Sequence, residues 1–399
     1  MDFSPNIQKL SPSATIAVST LARKLKAQGR DIINLSAGEP DFPTPDWIAQ
    51  AAIRGIRDGR TGYTPAPGLP ELREAVARDM ETRSRGGWAV EPESVVVTCG
   101  AKQALFNACF ALFGKGDQVL VASPYWTSYP QMVGLAGAEA NFVKGPEERG
   151  FKLSPEELEA ASGPRTRGLI LCSPSNPTGA VYTRDELAAV ARWARDRGIW
   201  LISDEIYRRI VFSESEGAMA AGLMDLEPGE VGPHVVVDGV SKCFAMTGWR
   251  IGFAVTSPEV ADKLSALQSH STSNAATPSQ MAALEAFTHP ERADASVAEM
   301  LEAFRRRRDL TAEAIRTRLP HLSIIEPQGA FYLFIRVDSE FQDGMADSQE
   351  WCSQVLEETG VALVPGVAFG DDRYVRLSYA TSDDLLTEAV RRLAEEREG

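Results

Sequence analysis

From Ser94 to Val255 the chain alternates short apolar runs with longer stretches of helical period. The runs are Val95–Val97, Val119–Val121, Gly168–Leu171, Trp200–Ser203, Val235–Val237 and Gly252–Val255. Runs this short, apolar throughout rather than alternating, read as strands covered on both faces. Strands that alternate with helices predict a mainly parallel sheet between helical layers, an α/β architecture. Ahead of this region, helical patterns run from Ser13 through Leu25, closed by Gly29, and from Pro45 to Asp58, with a short strand at Ile32–Leu35 between them. Residues 1 to about 12 are polar, carry prolines and have no period. They read as an arm that docks elsewhere or a frayed end.

Beyond Val255 helical periods dominate. Two helices over 258–287 flank the polar loop Ser269–Asn274, and a long helical pattern over 298–318 predicts a link between domains. The pattern then changes. Strands at Gln328–Arg336, Val361–Gly366 and Tyr374–Ala380 interleave with helices at 350–359 and 383–396, which predicts a small α+β unit. The expected division is 1–44, an arm and part of the small domain; 45–297, a large domain; and 298–399, the small domain.

Composition narrows the function classes. The 399 residues are 44% hydrophobic and 24% charged, ordinary for a globular protein. A net charge of −14 argues against nucleic acid as the main partner. The basic run Arg305–Arg308, flanked by Glu302 and Asp309, reads as a solvated, salt-bridged helix face. Five cysteines without a Cys-x-x-Cys pair suit reduced thiols, and four scattered histidines give no metal-ligand spacing. With no apolar run of membrane-span length, the expectation is a cytoplasmic protein.

The chemistry concentrates where apolar runs end. Val235–Val237 leads into Asp238-Gly-Val-Ser241-Lys242, and Arg250 follows before the next run begins at Ile251. A lysine and an arginine side by side at strand ends suit a phosphate, or a phosphate plus a carbonyl. A desolvated lysine beside a second cation loses its proton more readily and becomes a nucleophile toward carbonyls, as a pyridoxal phosphate site requires. Taken alone, one lysine favours the plainer reading of a surface lysine beside a structural arginine, which only further motifs reverse. Gly100, between Val95–Val97 and a helix start, adds an anion site made of backbone N–H groups at Gly100, Ala101 and Lys102. Ser123–Tyr129 is a Pro-aromatic cluster at a strand end, Ser173–Gly179 a rigid turn with Asn176, and Trp200–Tyr207 a run that ends on Asp204. Arg376 sits inside an apolar strand pattern, where a buried arginine needs a partner, such as an internal ion pair. Gly38, in the turn-rich segment Ser36–Pro45, permits close backbone approach to a ligand.

Ser241-Lys-Cys-Phe-Ala-Met-Thr-Gly-Trp-Arg-Ile-Gly252 resembles the lysine signature of the class I pyridoxal-phosphate-dependent aminotransferases of fold type I. So do Ala37-Gly-Glu-Pro-Asp-Phe42, Tyr63-x-Pro-x-x-Gly-x-x-x-Leu-Arg73 and Asn176-Pro-x-Gly179, in the family's order. The resemblance spans about residues 13 to 395. It implies a three-layer large domain around a mainly parallel seven-stranded sheet, plus the smaller α+β domain. It implies that Lys242 bonds the cofactor aldehyde and, once freed, moves a proton as general base and acid. Ser241, Arg250 and the Gly100, Ala101 and Lys102 backbone would bind the phosphate, and Tyr63 would reach a neighbouring subunit's phosphate across a homodimer interface. Trp126 would stack on the ring, Asp204 meet its nitrogen, and Asn176 and Tyr207 its phenolic oxygen. For substrate, Arg376 above all would hold the α-carboxylate and Gly38 would meet the substrate carboxylate, with Trp126 and Asn176 also binding substrate.

Ser13-Ala-Thr15 and Lys102–Asn107 resemble the bacterial aspartate (aspartate/prephenate) branch, which implies that Lys102 and Thr15 meet a side-chain carboxylate. Ala101 departs from the glycine usual before this lysine and raises the question of a shifted helix start. The activity implied is ping-pong transamination between aspartate or glutamate and a 2-oxo acid (2-oxoglutarate or oxaloacetate), with no metal, nucleic acid or membrane involved. An aromatic or prephenate aminotransferase and a carbon–sulfur lyase of the same fold are the alternatives. A DNA-binding regulator of this fold would need a domain ahead of Ser13, and none is expected.

Overall fold

A computed structural model of the chain describes residues 3–8, 10, 12–212, 219–341 and 346–395. Its strands are β1 Ile33–Asn34, β2 Val95–Thr98, β3 Gln118–Ser123, β4 Glu139–Lys144, β5 Thr166–Cys172, β6 Trp200–Asp204, β7 His234–Gly239, β8 Gly252–Val255, β9 Ser323–Ile325, β10 Tyr332–Arg336, β11 Val361–Ala362, β12 Val364–Pro365 and β13 Tyr374–Ser378. All six expected apolar runs join one seven-stranded sheet, in the order β2-β8-β7-β6-β5-β3-β4. Its seventh strand, β4, has no apolar run. It is an edge strand, Glu-Ala-Asn-Phe-Val-Lys, whose side chains are exposed or half-buried except Val143. A charged edge resists pairing with another chain and leaves little hydrophobic signal to read.

The covering of both faces follows from the two-residue period of a strand. Val96, Val119, Val121, Ile170, Ile202, Val235 and Val237 enter one core, while Val95, Val97, Leu120, Leu169, Leu171, Leu201 and Val236 enter the other. The first core continues without a break into Phe304, Phe331, Leu333, Val375 and Leu377 of the C-terminal part.

Strand direction sets the place of the chemistry. β8 is antiparallel to both its neighbours, and the remaining pairs are parallel. The carboxyl ends of β2, β3, β5, β6 and β7 therefore meet at one edge, and so does the start of β8. That edge is where open α/β sheets bind ligands.

A four-stranded antiparallel sheet, β12-β13-β10-β9, brings Arg376 opposite Phe334 on one side and Val364 on the other. β1 pairs in parallel with β11, and the Ser378 N–H donates to the Leu35 carbonyl at 2.8 Å. These bonds hold the Ser36–Gly38 turn against the small sheet.

Two expectations need correction. The long helix runs Pro290–Arg318 rather than from 298. Its first turns carry Glu291, Arg292 and Asp294, with Ala293 alone buried among them, so the apolar period is faint there. The Arg305–Arg308 run is not one solvated face. Arg306 pairs with Asp383 at the surface, whereas Arg307 is buried and grips Asp41 with two bonds of 2.7 and 2.9 Å. A helix that packs on one side and meets solvent on the other splits a run of four between the two.

All five cysteines are free. Burial pushes the Cys243 thiol up to about 12, which makes it a packing residue rather than a nucleophile. No described helix is long and apolar enough to cross a membrane.

Candidate active site

Of the candidate site residues named from the sequence, all but Gly100 and Tyr63 line a single cavity of about 360 Å³ at the carboxyl edge of the large sheet. Its floor is Lys242, in the loop after β7. The Nζ donates to the Gly38 carbonyl at 2.6 Å. Burial is the main cause that lowers its pKa from the ordinary lysine value to about 8. Arg376 and Arg250 push the same way, and Glu39 and Asp204 oppose them.

One wall is built for an anion. The helix Ala101–Leu112 follows Gly100, which takes the left-handed φ of 82°, and no side chain caps its free N–H groups. A Cβ at Gly100 would collide with the Arg250 guanidinium, and one at Gly252 with the Ala101 backbone nitrogen. Glycine at both positions lets the helix start, β8 and Arg250 converge. Arg250 donates to the Thr247 and Cys99 carbonyls at 2.8 and 3.2 Å, which aims the guanidinium across the helix start. Ser241 lines the same wall. The Ala101 methyl is buried and the helix begins at Ala101 itself, so the departure from glycine leaves Lys102 facing the cavity. The Lys102 ammonium lies 4.8 Å over the Trp126 ring, and its pKa is lowered by burial and then by Arg250. Thr15 lines the mouth, hydrogen-bonded to the Ser13 hydroxyl at 2.9 Å.

The opposite wall carries groups in search of partners. Asp204 is buried, accepts from the Tyr129 hydroxyl at 2.6 Å, and has its pKa raised to about 6 by burial. Arg376, 2% exposed, donates to the Asn176 Oδ1 at 2.9 Å and to the Ser36 carbonyl at 2.8 Å. Its Nε has no hydrogen-bond partner, and no carboxylate among the described residues pairs with it. The internal ion pair is therefore absent among the described residues, and what remains is a buried guanidinium open to a bound carboxylate. Asn176, in a turn where Ser173–Pro174 and Asn176–Pro177 are both cis, turns its Oδ1 to Arg376 and lines the cavity. Tyr207 shares a 2.8 Å hydrogen bond with the Tyr332 hydroxyl.

Tyr332 and Tyr129 line the cavity and were not anticipated. Tyr332 hides in an apolar strand pattern. It shares a face with Arg376 only through the β10–β13 register, Tyr332 with Ser378 and Phe334 with Arg376, and the guanidinium sits 4.4 Å over its ring. Tyr129 lies in the Pro-aromatic cluster, where its hydroxyl was the available signal. Tyr63 is apart from this cavity, 93% exposed, and Asn274 bonds the neighbouring Ala275 carbonyl.

An anion cradle, a buried carboxylate with no salt bridge among the described residues, a lysine with a lowered pKa and an arginine without a carboxylate partner among the described residues together fit a phosphate-bearing aldehyde with a basic ring nitrogen, plus a carboxylate. Residues 30–393 match the family model described as aminotransferase class I and II. The chain is 41% identical to an aspartate aminotransferase of Geobacillus stearothermophilus, over 98% of each chain. It is 44% identical to an aspartate/prephenate aminotransferase of Cereibacter sphaeroides, over 98% of this chain and 97% of that one. A structure of the aspartate aminotransferase from Thermus thermophilus with maleate superposes with a TM-score of 0.92 at 42% identity, over 99% of each chain.

Proposed function

The chain belongs to the class I and II aminotransferases, and from that premise we propose that it exchanges the amino group of aspartate or glutamate with a 2-oxo acid, using pyridoxal phosphate. The observation that carries the dicarboxylate reading is the second cation. Arg376 and Lys102 line the same cavity, with Trp126 beside Lys102. A substrate with carboxylates at both ends satisfies both. The relative seen with maleate, itself a dicarboxylate, supports the same reading.

Bound pyridoxal phosphate supplies an aldehyde that captures amines and a ring that draws electrons from the substrate's Cα. This chain's residues do the rest. Ser241, Arg250 and the N–H groups at Gly100, Ala101 and Lys102 hold the phosphate. Asp204 would hold the proton on the ring nitrogen, Trp126 would cover the ring, and Tyr207 and the Asn176 amide would donate to the phenolic oxygen. Arg376 takes the α-carboxylate in its fork, with Asn176 and Gly38 beside it, while Lys102 and Thr15 receive the distal carboxylate. Lys242 would act as the general base and acid, taking the proton from the substrate's Cα and holding it for delivery to the cofactor side. Its amine is near the right basicity because burial and two arginines disfavour the ammonium.

We further propose a homodimer in which Tyr63, unsupported on its own chain, reaches the partner's phosphate. The chain would divide into 1–44, 45–297 and 298–399, with the small domain closing over the substrate.

The decisive experiment adds single amino acids to the cofactor-loaded protein with no oxo acid present. Rapid conversion to the pyridoxamine form by aspartate and glutamate is expected. Conversion by phenylalanine alone would instead favour the aromatic reading, and pyruvate release without pyridoxamine the lyase. Lys102→Ala lowers kcat/KM for aspartate by roughly 10- to 100-fold, the loss of one charge-assisted contact, and leaves alanine nearly unaffected. Equal losses for both substrates would remove Lys102 from the distal subsite. For the cofactor-free protein, capture of pyridoxal phosphate requires the neutral Lys242 amine. Its rate therefore rises with pH and levels off above about 8, rather than climbing to the ordinary lysine range. A stopped-flow pH series reads this directly.

A further inference from the structure

We propose that Tyr129 is a positioning residue: its hydroxyl fixes the Asp204 carboxylate in place and in its charged form, so that the acid can hold a ring nitrogen protonated. This rests on the reading of Asp204 as the ring-nitrogen partner. Asp204 closes β6 with its side chain buried at the cavity wall. Its Oδ2 accepts from the Tyr129 hydroxyl at 2.6 Å, and its Oδ1 has only the distant Ile206 N–H at 3.3 Å. A buried carboxylate with so few donors is prone to take up a proton, and a neutral acid keeps no pyridinium beside it.

The groups facing Asp204 are few. Lys242 approaches from the loop after β7, Cys172 from the end of β5, and Glu205 from the next position in its own chain. Lys242 favours the charged carboxylate and Glu205 opposes it. Lys242 also changes role as it moves protons, so its support is not constant. Burial holds the Tyr129 phenol and the Cys172 thiol neutral, and the thiol is directed at the Pro174 carbonyl instead, at 3.3 Å. That leaves Tyr129 as the neutral, lasting side-chain donor to the acid. Its ring meets Trp126 edge-on at 5.4 Å, so the start of the helix Tyr129–Leu135 sets both the ring-covering tryptophan and the clamp on the acid.

The test uses the full-length protein in two states. In the cofactor-free protein, the Asp204 carboxyl band is identified by infrared difference against Asp204→Asn and followed with pH. Tyr129→Phe is expected to raise its midpoint by about one to two units, the worth of one hydrogen bond to a charged group. Tyr207→Phe, which also deletes a buried phenol but does not touch Asp204, is expected to leave it in place. In the loaded protein, a ¹⁵N label in the cofactor ring is expected to shift toward the neutral-ring position in Tyr129→Phe and further in Asp204→Asn. An Asp204 midpoint unchanged by Tyr129→Phe overturns the role of Tyr129. An unmoved ¹⁵N signal in Asp204→Asn overturns the underlying reading of Asp204 instead. Should Tyr129→Phe not fold, a fluorotyrosine at position 129 makes the phenol a stronger donor and is expected to lower the midpoint; no change there overturns the proposal equally.

Discussion

Replacing Lys242 with alanine lowers the rate of the aspartate half-reaction by roughly 10⁴-fold or more, the scale of a lost positioned general base together with the lost amine nucleophile. The geometry gives no understudy. The Nζ lies at the bottom of the cavity, 2.6 Å from the Gly38 carbonyl and 5.9 Å from the centre of the Tyr207 ring. The other amine on the cavity wall, Lys102, is held over Trp126 near the helix start. Lys242→Arg keeps a cation but replaces an amine of pKa about 8 with a guanidinium that stays protonated, and so fails as a base to a similar extent. Single-turnover absorbance of the loaded protein measures the loss. A variant within tenfold of the parent would mean that another group moves the Cα proton. Lys242→Ala is expected to leave the fold intact, because removing a desolvated ammonium with no carboxylate bonded to it costs little stability.

What could be read from the sequence divides along a physical line. Features written in local order were legible: the apolar runs of six strands, the turn at Gly100, and Asp204, Asn176, Lys242 and Arg250 at or next to run ends. In a parallel sheet those ends converge, so nearness to the ends of runs in sequence becomes nearness in space. Features set by pairing register or by burial were not legible. Tyr332 reaches Tyr207 and Arg376 because β10 pairs with β13 in one register, and a shift of one residue would turn its hydroxyl to the other face. The split of Arg306 from Arg307 depends on which helix face meets Asp41, more than 260 residues away in the chain. β4 escaped because an exposed, charged edge strand carries no apolar run. Recognisable motifs supplied roles that spacing alone left open, most of all for Arg376, whose two candidate partners were separated only by the absence of an internal carboxylate among the described residues.

That absence makes Arg376→Ala the other large effect. A guanidinium 2% exposed, with a free Nε and no anion among the described residues, is costly to bury, and a protein that keeps it there gains when a carboxylate arrives. Two charge-assisted bonds to the α-carboxylate are worth about 3–6 kcal/mol together, so kcat/KM for every α-amino acid falls by roughly 10²- to 10⁴-fold. Arg376→Lys keeps the charge but not the fork and falls between the variant and the parent. The pattern across substrates separates this residue from Lys102. Arg376→Ala weakens alanine and aspartate alike, whereas Lys102→Ala weakens aspartate alone. The comparison also guards against a purely structural effect. Removing the guanidinium leaves the Asn176 Oδ1 and the Ser36 carbonyl without their donor, which disturbs the turn that aims Asn176. A primary amine that lacks a carboxylate exposes any such disturbance, since it never uses the fork. If its slow reaction is unchanged while amino acids lose two orders of magnitude or more, Arg376 acts by holding carboxylate. Equal losses for both would reassign it to the scaffold of the Asn176 turn.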